Sequence, residues 1–104
     1  MASRKEYLLF ILDQLSQLEE ISWRAMMGEY IIYYKGVIIG GIYDDRFLVK
    51  PLEVAEDYME SVSYALPYKG AKEMLLVDKV ESKEYLAGLV DAIYNEIQKK
   101  GKKR

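Results

Sequence analysis

Between Tyr30 and Val49 three runs of β-branched, aliphatic and aromatic residues, Tyr30 to Tyr34, Val37 to Tyr43 and Phe47 to Val49, are separated only by Lys35-Gly36 and by Asp44-Asp45-Arg46. Connections this short cannot carry a crossover, so neighbouring runs must fold back as antiparallel strands. Glycine at position 36 can take the positive φ that a tight reversal demands. Pro51 cannot donate to a ladder and closes the meander. Gly40 and Gly41, inside the middle run, predict a bulge or a close approach by another element, here expected to be a helix crossing the sheet.

Helices are expected on either side of this meander. Ser3-Arg4-Lys5-Glu6 has the S-x-x-E spacing of a capping box. Leu8, Ile11, Leu12, Leu15 and Leu18 follow on one helical face, with Asp13, Gln14 and Gln17 on the other. Glu53 to Val62 reads as a short helix with Val54, Tyr58 and Met59 facing inward. Tyr64 to Tyr68, interrupted by Pro67, and Glu73 to Asp78 read as two further strands, the first an edge or irregular one. Ser82 opens a last helix whose apolar stripe is Leu86, Leu89, Val90, Ile93 and Ile97. The order helix, three strands, helix, two strands, helix implies an α+β two-layer sandwich with a mainly antiparallel five-stranded sheet.

With 104 residues there is room for one domain, read as residues 1–98, followed by a basic tail at 99–104 that is expected to be disordered. The tail holds five of the fifteen basic residues, leaving ten against seventeen acidic ones and a net charge of −7 for the rest. A body of that sign repels phosphate, which disfavours direct nucleic-acid binding. No apolar run is long enough to span a membrane or to act as an export signal, so the cytoplasm is the default compartment.

The chain has no cysteine and no histidine. It therefore lacks a thiolate nucleophile, the commonest metal ligand and the usual acid and base near neutral pH. Adjacent carboxylates occur at Glu19-Glu20, Asp44-Asp45 and Glu56-Asp57, but neighbours in sequence point in different directions and lack the spaced oxygen ligands of a calcium loop. No phosphate-binding glycine motif is present. Neither a catalytic residue, a metal site nor a cofactor is assigned.

Arg24-Ala25-Met26-Met27-Gly28-Glu29-Tyr30, then Tyr33, Gly36, Gly40, Asp45 and Leu48-Val49-Lys50, together resemble the N-terminal domain of the TfoX/Sxy family of competence regulators. Pro67-Tyr68-Lys69-Gly70 and Glu73 to Val77 are similar to the family's second block, so the likeness runs from about Leu8 to Ile97. The resemblance implies a bacterial or archaeal regulatory or accessory protein rather than an enzyme. Full-length members add a C-terminal domain with helix-hairpin-helix-like character, whereas this chain ends at Arg104, which is the expectation of a stand-alone N-terminal domain.

Candidate contact or groove residues are Arg24, Met26, Met27, Tyr30, Tyr33 and Tyr43, since methionine adapts to varied partners and arginine recognises carboxylates or phosphates. A plainer reading makes the methionines core fillers and pairs Arg24 with Glu29. Ten tyrosines raise the idea of base stacking, but the acidic residues among them disfavour it. The leading expectation is a protein partner, with a homodimer among the options. The alternative is a small-molecule pocket between helix and sheet near Gly40 and Gly41.

Overall fold

The computed structural model describes residues 3–101. Its elements run α1 (Lys5–Gln14), β1 (Ile21–Met26), β2 (Glu29–Tyr34), β3 (Val37–Ile42), β4 (Phe47–Val49), α2 (Glu53–Tyr58), β5 (Tyr64–Ala65), β6 (Met74–Leu76) and α3 (Lys83–Gly101). The strands form one antiparallel sheet in the order β1-β2-β3-β4-β6-β5. The α+β class and the order of elements are as the sequence implies, with a sixth strand, β1, added at the start of the meander. Its period-two alternation, Ile21-Ser22-Trp23-Arg24-Ala25-Met26, is visible in the sequence, but most of the strand is exposed and so shows no apolar run.

Three two-residue reversals build the meander. Met27-Gly28 (φ 53° and 86°), Lys35-Gly36 (53° and 80°) and Asp44-Asp45 (54° and 56°) all place both central residues in the left-handed region, as the inward-twisting hairpin turn requires. The last is the demanding one, because neither residue is glycine. Its two N–H groups are held: Asp44 donates to the Glu29 carboxylate at 3.2 Å and Asp45 donates to Ser3 Oγ at 3.0 Å. Ser3 Oγ in turn donates to Glu29 Oε1.

That arrangement corrects the capping-box reading. Arg4, not Ser3, occupies the N-cap of α1, and no side chain caps the helix. The serine hydroxyl is drawn 26 and 42 residues along the chain, where it accepts from a turn whose two aspartates both sit in the left-handed region. Arg4 is used there too, donating through its backbone N–H and its Nε to the Asp45 carboxylate. These bonds, first the backbone N–H and then the guanidinium, hold the Asp45 carboxyl below its usual range against the opposing effect of desolvation.

All three helices serve one face of the sheet. Leu8, Ile11 and Leu15 from the first helical segment and Leu86, Leu89, Val90 and Ile93 from α3 meet Ile32, Ile39, Ile42, Phe47, Val49 and Leu75, all fully buried. Burying each such side chain contributes about 1.5 to 3 kcal/mol. α2 stops at Tyr58, short of the predicted Val62, where Met59 turns to extended backbone and plugs the core. Tyr58 then lies against α3: its hydroxyl donates to the Tyr85 carbonyl, and a Cβ on Gly88 would sit 2.9 Å from its Cζ. Pro67 keeps β5 to two residues at the sheet's far edge. α3 continues through Lys99 and Lys100, whose charges suit a helix C-terminus, to Gly101. The rest of the basic tail read from the sequence, Lys102 to Arg104, lies outside the described residues.

The glycine pair sits where the sheet is most crowded. The bulge is present, as a register shift opposite Ile32 and Tyr33 that leaves Ile39 as the extra residue. The atoms nearest Gly40 belong to the neighbouring strand: a Cβ there would strike the Leu48 carbonyl oxygen and come within 2.9 Å of the Val49 Cα, while α3 also runs close to β3. At Gly41 a Cβ would meet the Tyr30 carbonyl oxygen and the Tyr43 ring, each at 2.7 Å.

Candidate interaction face

Side chains alternate between the two faces of a strand, so the register assigns each residue a side. Ile32 is fully buried under the helices and pairs with Trp23 and Gly40, which puts Ile21, Trp23, Ala25, Tyr30 and Tyr34 on the helix side. Ser22, Arg24 and Met26 of β1, Ile31 and Tyr33 of β2, and Ile38 of β3 therefore lie on the opposite side. No helix reaches them. Met26 is 40% and Ile38 41% exposed, Arg24 is exposed, and Ile31 and Tyr33 are half-buried.

The other half of this outer face is covered by the chain itself. Tyr43 lays its ring over Gly41 and stands 6.3 Å from the ring of Tyr68, while Arg46 donates to the Leu66 carbonyl and so ties the segment after β5 to the β3-to-β4 turn. Leu48, whose side chain lies on this face, is fully buried as a result. Burial raises the Tyr43 hydroxyl's pKa, with Tyr68 and Glu29 adding to it, so the group stays neutral well above physiological pH.

The structure thus gathers Arg24, Met26 and Tyr33 from the sequence candidates onto one open patch. Tyr43 belongs to the same face but closes its far half. Tyr30 is on the helix side, its ring edge-on to Trp23 at 5.6 Å between centroids. Met27 stands at the tip of the first hairpin, 96% exposed. The reading of both methionines as core fillers fails on these exposures. So does the pairing of Arg24 with Glu29, whose carboxylate is committed to Ser3 and Asp44. Sequence reasoning missed Ile31 and Ile38 as members of the patch. Both are aliphatic inside strongly apolar runs, and only the bulge at Ile39 decides that Ile38 faces outward.

The open patch has an apolar centre, Ile31, Tyr33 and Ile38, and one guanidinium, Arg24, on the edge strand. Among the described residues no group of three or more aspartates or glutamates is placed to hold a metal ion, and no helix is long and apolar enough to cross a membrane.

An α+β domain that turns an antiparallel meander's bare face outward is the class these features define. The TfoX N-terminal domain matches residues 13–96, and the chain belongs to that family. It is also 31% identical over 80 residues to the uncharacterized 12.7 kDa protein in the trpE 5′ region of Spirochaeta aurantia, an alignment that covers 77% of this chain and 70% of that protein. No solved structure matches the chain significantly.

Proposed function

We propose that the protein is a non-enzymatic regulatory or accessory module of the TfoX type that works through protein contacts made on the open half of its sheet. The observation that carries this reading is the side-by-side placement of Arg24, Met26, Ile31, Tyr33 and Ile38 on a face that no helix covers. Aromatic and methionine side chains with a bordering arginine are the composition favoured at interface centres. Family membership supports the regulatory part of the reading.

The test is site-specific photocrosslinking in cells. A crosslinking amino acid at Tyr33 is expected to give a discrete protein adduct, and one at exposed Glu84 on α3 to give none. Equal labelling at both positions, or none at Tyr33, defeats the proposal.

A further inference from the structure

The two edges of the sheet are built differently. β5 is two residues long and is followed by Pro67, both common devices for blunting an edge. β1 is six residues long, has neither glycine nor proline, pairs with β2 in unbroken register and ends the sheet on the other side. Five of its six residues are exposed.

The direction of its hydrogen bonds follows from the turn. Lys35 donates to the Glu20 carbonyl at 3.0 Å, so Glu20 and Lys35 are a hydrogen-bonded pair, and by alternation Ser22, Arg24 and Met26 also bond toward β2. Trp23 and Ala25 then aim their N–H and C=O groups outward. Among the described residues no backbone or side-chain group bonds to them.

We propose that a second copy of this chain occupies this edge, β1 against β1 in antiparallel fashion about a two-fold axis. The proposal rests on the reading of the chain as a contact-making module and names its partner. Outward-facing residues must pair with outward-facing residues, which restricts the register to a few choices. Placing Arg24 opposite Arg24 of the second copy sets like charges face to face. The register one step away puts Trp23 opposite Trp23 of the second copy and Ile21 opposite its Ala25. Arg24 then lies across from the second copy's Ser22, a diagonal step from its Glu20.

This register covers Trp23, which is 39% exposed in the single chain, with an aromatic partner on the same face. It also brings two α1 helices together. Lys5 of α1 stands over the Trp23 ring at 5.4 Å, so this helix flanks the edge, and Leu9, one turn further on, is 55% exposed.

Ala25→Pro is the discriminating variant. Its missing N–H is one that points to solvent, so the bonds to β2 are kept while edge pairing is blocked. Sedimentation of the full chain is expected to show a dimer whose affinity falls roughly a hundredfold in Ala25→Pro, with its circular dichroism and thermal midpoint close to those of the parent. The lone tryptophan should shift its emission to the red on dilution of the parent, and the variant should show the shifted emission at every concentration. Arg24→Glu should weaken the dimer as well, and mixing it with Glu20→Arg should restore it in part. A parent monomeric at high concentration, or a dimer unaffected by Ala25→Pro in a folded protein, overturns the proposal. Either result leaves the Tyr33 crosslink to report on the open face by itself. If Ala25→Pro does not fold, an N-methylated backbone at Ala25, made by chemical ligation, removes the same donor, and an unchanged dimer there overturns the proposal equally.

Discussion

Ile31 and Ile32 are neighbours of the same chemistry on one strand, yet they live on two different surfaces. Ile32 sits under the helices at zero exposure, whereas Ile31 lies half-buried on the outer face beside Arg24 and opposite Gly41. The helix side is closed by three helices and sustains the fold; the outer side is closed over one half only, by Tyr43 and the segment tied to Arg46, and is bare over the other. The lesson is that a short meander with helices at both ends of the chain has enough cover for one face and not for two. What remains uncovered is where selection for contacts can act without disturbing the core.

The sharpest way to break this comparison is to truncate both neighbours. Ile32→Ala should lower stability by about 3 to 4 kcal/mol and Ile31→Ala by no more than about 1 kcal/mol in urea titration. Similar losses at the two positions would mean that the faces are not distinct. Next in size is the glycine pair of tests within the meander. Gly40→Ala forces a methyl into the β4 backbone and should cost about 2 to 3 kcal/mol, while Gly36→Ala, with open space around it but φ at +80°, should cost about 1 kcal/mol. A neutral Gly40→Ala would show that β3 and β4 can part locally.

Titration probes how firmly the covered side holds its polar margin. Tyr85, half-buried at the start of α3, donates to Asp78 at 2.9 Å; burial first, and then that carboxylate, push its pKa up to about 12. Its contribution to stability is fully present below the unfolded tyrosine value near 10 and is lost as the pH rises through about 12. Thermal midpoints should therefore fall over that window, and Tyr85→Phe should remove part of the fall. Identical curves for parent and variant would rule out the linkage.

The smallest effect belongs to the pin where the chain start meets the outer-face hairpin. Asp45, with its pKa depressed from the ordinary 3.8, stabilises the fold above that value and loses this contribution as the pH falls through its lower folded value. Asp45→Asn should flatten the acid limb of the stability curve, and Ser3→Ala should cost about 1 kcal/mol at neutral pH. An unchanged acid limb would show that the pin is not coupled to folding.

Much of the helix side was legible in the residues. Of the expected stripes Leu8, Ile11, Leu15, Leu86, Leu89, Val90 and Ile93 are fully buried and Leu12, Leu18 and Ile97 partly so, while Gln14, expected on the outer face, is buried and donates to the Val80 carbonyl; the reversals at Lys35-Gly36 and Asp44-Asp45 lie where turn chemistry puts them. The outer side was legible only in part. Arg24, Met26 and Tyr33 were selected as contact residues by type, and they share one patch. Tyr30 was selected by the same reasoning and lies on the other face, because a tyrosine's composition carries no information about strand parity. Strand β1 was not set apart from the meander, since an exposed edge leaves alternation but no continuous apolar run.

Local chemistry in the chain settled where the three helices lie, two of the meander's three reversals, and that neither thiol nor imidazole chemistry is available. Those properties depend on neighbours within a few residues, or on composition alone. Tertiary packing alone decided which face of the sheet stays bare, what presses on Gly40 and Gly41, and that Ser3 holds a distant turn instead of its own helix. Each of these is set by groups tens of residues apart competing for the same space or the same hydrogen bond, and that competition has no local trace.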